Sequence, residues 1–378
     1  MKLVFWISAA ILAYTYIGYA GWLWLRGRFL KLPVRAGACQ PSVSLVLVVR
    51  NEAAVLERKL QNLLSLDYAK ELIEIVVVSD GSTDRTNEIL DYYSADRSLR
   101  IVLNPEPHGK AAGLNEAIAL ARGEIVIFND ARQILDRDAV RLLAEQFADP
   151  EVGSASGELM LGDPAAGETS RGFGLYWRVE KKIREMESAS GSVVQATGAI
   201  YAVRRNLIVP LPAGTILDDV FIPMHVARQG YRVTFLPTAR AWDVADQGSE
   251  REFSRKVRTL TGNYQLVQLA PWLLGSSNPL RLEFISHKLL RLAAPFALAA
   301  LFVASLVLTT PPYRAVLLLQ LIFYGLSGLA MARPAMARPK MGPLTRVADA
   351  ARTFVVLNTA ALVAFVKFIT GRGIAWGR

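Results

Sequence analysis

The ten residues Ile75 to Asp84, IVVVSDGSTD, decide the fold. Ile75, Val76, Val77 and Val78 form a short apolar run bounded by turn formers, as in the buried centre of a parallel sheet. Ser79 and Asp80 then stand at the carboxyl end of that strand, Gly81 lets the chain turn, and Ser82, Thr83 or Asp84 can cap a following helix. In an open parallel sheet, ligands bind beyond the carboxyl ends of the strands. Asp80 is therefore expected to face a ligand rather than the core, although a single SDG triplet would serve equally well to stabilise a turn.

Repetition of this arrangement favours the ligand reading. Residues 43–49 form an apolar strand followed by Arg50, Asn51 and Glu52, and then by Val55, Leu56, Leu60, Leu63 and Leu64 at helical spacing. After the central strand come a helix over about 84–93, a strand over 101–103, a helix over 110–122 and a strand over 125–128 ending in Asn129 and Asp130. Strands separated by helices of this length build a parallel sheet with right-handed crossovers. Asn51, Glu52, Asp80 and Asp130 would then converge on one rim. Residues 132–248 are less regular, with two conspicuous segments: QATGAIYAVR at 195–204, and TILDD at 215–219, which sets Asp218 and Asp219 before an apolar helix.

The chain has 378 residues, is 52% hydrophobic and carries a formal charge of +10. A mean hydropathy of +0.27 is too apolar for an ordinary soluble enzyme. One cysteine, Cys39, excludes an intramolecular disulfide framework and a cysteine-rich zinc site. No nucleic-acid-binding motif or basic–aromatic interleaving accompanies the positive charge. Much of that charge flanks apolar segments, where it suits anionic lipid and fixes orientation.

Residues 3–25 are long and apolar enough to span a bilayer, and Arg26, Arg28, Lys31 and Arg35 follow them. The positive-inside rule puts the amino terminus outside and the next segment in the cytoplasm. Residues 250–274 mix basic and apolar residues in a manner suited to a membrane surface. Two further spans are expected over 292–308 and 315–332, joined by Pro311 and Pro312, with Arg333, Arg338, Lys340 and Arg346 in the next, cytoplasmic loop. Residues 354–366 are short for a crossing and fit an interfacial or re-entrant helix at least as well. Three spans would keep Lys367, Arg372 and Arg378 inside; four would place them outside.

The motifs VSLVLVVRNE, VVVSDGSTDRT, HGKAAGLNEA, IVIFNDAR, TGAIYAVRR, ILDD and RKVRTLTGN stand in the order and spacing of family 2 glycosyltransferases. Over about 41–265 the chain resembles their membrane-embedded branch, related to cellulose, hyaluronan and poly-N-acetylglucosamine synthases. The resemblance implies an α/β GT-A (Rossmann-like) fold, with a membrane anchor over 1–26, a linker over 27–40, a cytoplasmic catalytic domain over 41–248, an amphipathic region over 249–288 and a membrane region over 289–378. It implies inverting transfer from a nucleotide-sugar, usually a UDP-sugar, to a glycan or lipid-linked acceptor at a bacterial-type inner membrane.

Carried onto this sequence, the resemblance places Asn51, Glu52, Asp80 and Lys110 in the nucleotide pocket, Asp130 at the divalent cation (Mg²⁺ or Mn²⁺) and Asp219 as the base, with Asp218 beside it. A carboxylate can accept the N–H of a uracil, and a lysine offers a point charge to the base edge or diphosphate. An acceptor hydroxyl needs a base, and two adjacent carboxylates raise the pKa of one of them. Taken alone, an acidic pair at a helix start would be an ordinary response to the helix dipole. Two positions depart from the family. The Asp-x-Asp metal motif reads Asp130-Ala131-Arg132, and a guanidinium cannot ligate a metal, though it can pair with diphosphate. The processive Gln-x-x-Arg-Trp motif becomes Arg255-Lys256-Val257-Arg258-Thr259, keeping Arg258 and losing the aromatic platform. That loss counts against a long-chain polysaccharide synthase. The competing readings are a non-catalytic membrane scaffold that has kept the fold, supported only by Arg132, and a nucleotide-driven transporter, for which no phosphate-loop motif is present.

Overall fold

A computed structural model of the chain describes residues 1–163, 168–169, 175–243, 249–332 and 342–371. Among the basic residues used above for topology, Arg333, Arg338, Lys340, Arg372 and Arg378 lie outside the described residues.

The amino-terminal part is the expected alternation. Strand β1 (Val43–Val49) leads to α2 (Ala53–Leu64), β2 (Ile73–Asp80) to α3 (Thr86–Tyr93), β3 (Leu99–Asn104) to α4 (Lys110–Leu120), and β4 (Ile125–Asn129) follows, all after a first helix α1 (Lys2–Phe29). β1 pairs in parallel with β2 and β4, and β2 pairs in parallel with β3. Every residue of β1 is buried, as a strand covered on both faces requires. Alternate residues serve opposite layers: Val46 and Val48 pack with Ala111 and Leu114 of α4, while Leu45 and Leu47 pack with Leu56 and Leu60 of α2.

The stretch after Arg132 continues the same sheet. It contains β5 (Ile134–Leu135), α5 (Ala139–Glu145), β6 (Val152–Asp163), β7 (Glu168–Thr169), α6 (Leu175–Ser190), β8 (Ile200–Arg204), α7 (Asp218–Arg228) and β9 (Arg232–Asp243). The described residues give a sheet in the order β3-β2-β1-β4-β8-β6-β9-β5, with β7 on β6. β8 runs antiparallel to both β4 and β6, so the sheet changes direction beside β4. β6 reads poorly as a strand because it buries serines; Ser154 donates to the Ala202 carbonyl at 3.0 Å, and Ser156 accepts from the Thr197 amide at 2.8 Å.

Helix α8 (Ser249–Leu269) is followed by α9 (Arg281–Val307), α10 (Pro311–Ala332) and α11 (Pro343–Ile369). Among the described residues four helices, α1, α9, α10 and α11, are long and apolar enough to cross a membrane. α9 starts eleven residues before the apolar stretch read from sequence, and a π-wound turn, Ile285–Leu289, lies in its first part. The apolar stretch 354–366 is only the carboxyl-terminal half of α11. α11 packs against both α9 and α10. Phe354 and Phe365 are about three turns apart. Phe365 nevertheless meets Phe296, whereas Phe354 meets Phe323, one turn from the Gln320 side chain that donates to the Leu298 carbonyl. Val355, Asn358, Thr359 and Leu362 of α11 line one groove with Pro295, Leu298, Ala299 and Phe302 of α9.

Candidate active site

The carboxyl ends of β1, β2 and β4 form one rim, and the loops there are tied by short polar contacts. Asn51 takes a left-handed conformation (φ 55°), which asparagine tolerates better than most residues. Its Oδ1 accepts from the Thr83 amide at 2.8 Å, and its own amide donates to Ser82 Oγ at 3.2 Å. The Glu52 amide donates to Thr86 Oγ1 at 3.0 Å. Burial raises the pKa of the Glu52 carboxyl, while Arg132 opposes that shift and Asp130 and Asp84 reinforce it. Glu52, Asp130 and Arg132 therefore share one electrostatic neighbourhood.

Asp80 is turned inward instead of being held open toward a ligand. It is fully buried, and its two oxygens accept from the backbone amides of His108 at 2.7 Å and Gly109 at 2.9 Å. The carboxylate thereby fixes the loop that leads into α4. The loop lies close enough that a Cβ on Gly81 would stand 2.5 Å from the Pro107 nitrogen, and Gly81 also has φ +64°. Only glycine meets both demands.

Lys110 begins α4 and is the hub of the pocket. Its Nζ stands 3.0 Å from Asp130 Oδ1 and 3.2 Å from Asp218 Oδ1. Burial alone would lower its pKa, but Asp130, Asp218 and Asp219 together hold it above the usual lysine range. Asp218 is buried and also accepts from the Tyr201 hydroxyl at 3.0 Å. The Tyr201 ring stacks on Phe128 with 4.4 Å between centroids.

Asp219 faces the other side of the α7 start. Gln195 Nε2 donates to its Oδ2 at 2.9 Å, and the Ala196 amide donates to its carbonyl at 2.8 Å. Burial and the neighbouring Asp218 charge raise its pKa to about 6 from an ordinary 3.8. Such a carboxyl titrates in the range useful to a general base. The loop before it is clamped from α8, where Gln265 Oε1 accepts from the Ile216 amide and Gln265 Nε2 donates to the Gly214 carbonyl, each at 2.9 Å. A Cβ on Gly262 would fall 2.6 Å from Leu217 Cγ, so the helix and the loop are in close contact. Arg258 lies one turn before Gly262 on α8, on the same face. Among the described residues it has no ion-pair partner.

Arg132 leaves Asp130 and pairs with Asp243 of β9 at 3.6 Å. Gln133 Nε2 donates to the other oxygen of Asp243 at 2.8 Å. The fully buried Lys59 donates to the Gln133 carbonyl at 2.7 Å. Burial brings the pKa of Lys59 down to about 7. Asp130 remains the partly exposed carboxylate at the end of β4. Among the described residues no group of three or more His, Cys, Asp or Glu side chains converges as a metal site. A divalent ion held here would take one carboxylate and complete its shell with phosphate oxygens and water, as Mg²⁺ and Mn²⁺ commonly do.

Residues 44–208 match the family model "Glycosyl transferase family 2". That stretch therefore resembles a family 2 glycosyltransferase domain. A poly-β-1,6-N-acetyl-D-glucosamine synthase of Staphylococcus aureus (strain COL) is 26% identical over 234 residues, which are 60% of this chain and 55% of that protein. A probable glycosyltransferase of Bacillus subtilis is 25% identical over 240 residues, 60% of this chain and 56% of that protein. The chain thus spans about half the length of the curated relatives it matches. A mannosyltransferase from Pyrobaculum calidifontis, solved with GDP-mannose and Mn²⁺, superposes with a TM-score of 0.75 at 24% identity, covering 98% of this chain and 100% of that one. The domain has the GT-A fold. Asn51, Glu52, Asp80, Lys110, Asp130 and Arg132 fall inside the matched segment, while Asp218, Asp219 and Arg258 lie beyond it.

Reading the sequence for site residues missed Gln195, Tyr201 and Gln265. Gln195 and Tyr201 both lie in the quoted QATGAIYAVR segment, but nothing in their spacing says that they face the acid pair.

Proposed function

We propose that this chain is an inverting glycosyltransferase that moves a sugar from a nucleotide-sugar, in our reading a UDP-sugar, to a lipid-linked or membrane-proximal glycan. The observation that carries the reading is the placement of Lys110 between Asp130 and Asp218, with Asp219 next in the chain. One cation thereby joins the diphosphate side of a donor pocket to the side where an acceptor would be deprotonated. Asn51, Glu52 and the loop fixed by Asp80 would bound the nucleoside. Lys110 and Arg258 would face the diphosphate, the latter as a partly exposed guanidinium with forked donors.

In the reaction the ionised Asp219 takes the proton of the acceptor hydroxyl as its oxygen attacks the anomeric carbon, and the glycosidic bond to the diphosphate breaks on the opposite face. Gln195 holds Oδ2 of the base, leaving Oδ1 for the acceptor proton. Asp130 would hold a divalent cation with the diphosphate, and that ion would supply positive charge for the leaving group. Arg132, fixed by Asp243, would add charge at the same rim.

The charge following α1 supports a cytoplasmic catalytic domain in an inner membrane. The shortness of the apolar stretch 354–366 supports an interfacial helix, with three crossings and a cytoplasmic carboxyl terminus. Heat protection of the purified full chain by a panel of nucleotide-sugars, followed by assay of nucleoside diphosphate release with the protective donor, tests the reading. Protection and release by one donor class are expected; protection by none of them overturns it.

A further inference from the structure

We infer that Lys288, on the membrane helix α9, is a positioning residue for Asp219 and acts through Gln195. The inference rests on the proposed role of Asp219 as the base. Lys288 Nζ donates to Gln195 Oε1, and Gln195 Nε2 donates to Asp219 Oδ2 at 2.9 Å. The two ends of a glutamine amide are alike in shape and opposite in hydrogen bonding. An ammonium has donors only, so it must take the carbonyl end. The amide N–H groups are then left to face the carboxylate. Lys288 thus decides which way Gln195 points, and Gln195 decides how the carboxylate of Asp219 is turned. Without the ammonium the amide can reverse and bring its oxygen against a carboxylate oxygen, two acceptors with no proton between them.

Lys288 is itself held. It follows His287 in the π-wound turn Ile285–Leu289, a rare winding that recurs at functional positions. The His287 ring nitrogens each lie 2.8 Å from a carboxylate of α6, Nδ1 from Glu187 and Nε2 from Glu180. Tyr19 of α1 donates to Glu187 at 2.5 Å, and Arg291 of α9 donates to Glu180 at 2.6 Å. The register of α9 against α6 and α1 is therefore pinned within one turn of Lys288. Charged and titratable groups face Asp219 from each packed element: Asp218 on its own helix, Lys110 from α4, Tyr201 from β8, Arg184 from α6 and Lys288 from α9. Lys110 supports the ionised base from the donor side, and Lys288 does so from the membrane side. The base is thus set for transfer only when the membrane helix is seated on the catalytic domain, which suits an acceptor arriving at the bilayer.

The test compares the full-length protein with Lys288→Met, Lys288→Arg, Gln195→Ala and Asp219→Asn, measuring kcat, donor KM, donor heat protection and the pH profile. For Lys288→Met, kcat should fall roughly tenfold, less than the roughly 10²–10⁴ of losing a base outright. Donor KM and protection should stay within about twofold, because the donor-side cations are untouched. The acidic limb of the profile should move to higher pH, since a cation that favours the carboxylate is gone. Lys288→Arg should restore most of the rate, and Gln195→Ala should reproduce the loss. If Lys288→Met fails to fold, the Gln195→Ala profile carries the test. An unchanged rate and limb in these variants, with Asp219→Asn inactive, overturns the inference and leaves the base assignment standing. Equal loss in Lys288→Met and Lys288→Arg with donor protection also gone makes the role merely structural and overturns it too. Normal turnover by Asp219→Asn removes the base reading itself, and this inference with it.

Discussion

The ammonium of Lys110 stands 3.2 Å from Oδ1 of Asp218, and that contact joins the nucleotide-binding half of the domain to the acid pair. Lys110 comes from the parallel half of the sheet, and Asp218 from a helix packed beyond the point where the strands change direction. A partly buried lysine among three carboxylates compensates charge that the fold could not otherwise gather in one place.

Lys110→Met should therefore damage both halves. Asp130, Asp218 and Asp219 would face one another without the intervening cation, and the acidic limb set by Asp219 should move above about 6 because Lys110 lowers that pKa. Donor affinity should fall at least about tenfold, the equivalent of roughly 1.4 kcal/mol. Heat protection by the donor and the pH profile of transfer measure the two effects; normal protection would exclude Lys110 from the donor pocket.

Asp219→Asn should abolish transfer, by roughly 10²–10⁴ in rate, with donor binding within a few-fold of normal. In the native chain activity should decline as pH falls through about 6. Stability follows the opposite sign. The folded pKa lies above the ordinary 3.8, so the folded state binds more protons between about 4 and 6, and this contribution is present below that window and lost as pH rises through it. Asp219→Asn should thus be more stable than the native chain at pH 7, by on the order of 1 kcal/mol. A melting temperature at pH 7 equal to or below the native value would contradict the burial argument.

Chelation separates the two cations at the diphosphate. Transfer should vanish in chelator and return with Mn²⁺ or Mg²⁺, and Asp130→Ala should remove the response. Arg132→Ala should weaken the donor about tenfold at saturating metal, in line with one charge-assisted contact. Activity that survives chelator but disappears in Arg132→Ala would show the guanidinium replacing the ion, whereas a normal Arg132→Ala would leave it as a partner of Asp243 only.

A reporter placed after Arg35 should be active only in the cytoplasm, and so should one fused to the carboxyl terminus. The first follows from the charge behind α1. The second follows from the apolar stretch 354–366 being short for a crossing. Periplasmic activity of the carboxyl-terminal fusion would make α11 a fourth crossing.

The parallel half of the domain was legible because its strands are runs of β-branched residues and its helices have a clear apolar period. Val43–Val49 and Ile75–Val78 are buried on both faces, so the sequence is apolar at every position but Ser44, whose hydroxyl donates to Glu74. The acid pair was legible only through the family resemblance, because adjacent carboxylates before an apolar helix are by themselves an ordinary helix start. β6 was not, because its buried serines satisfy their hydroxyls against other strands, and no local pattern announces such partners.

By itself the sequence determined the α/β alternation, the presence of long apolar helices and the rim on which Asn51, Glu52, Asp80 and Asp130 stand, because each depends on periodicity within one short segment. Tertiary structure alone decided that Asp80 is spent on the amides of His108 and Gly109, that Arg132 leaves Asp130 for Asp243, and that Lys288 reaches Asp219 through Gln195. Those are contacts between residues far apart in the chain. A side chain's identity fixes what bonds it can make, but only packing chooses which of its possible partners it meets.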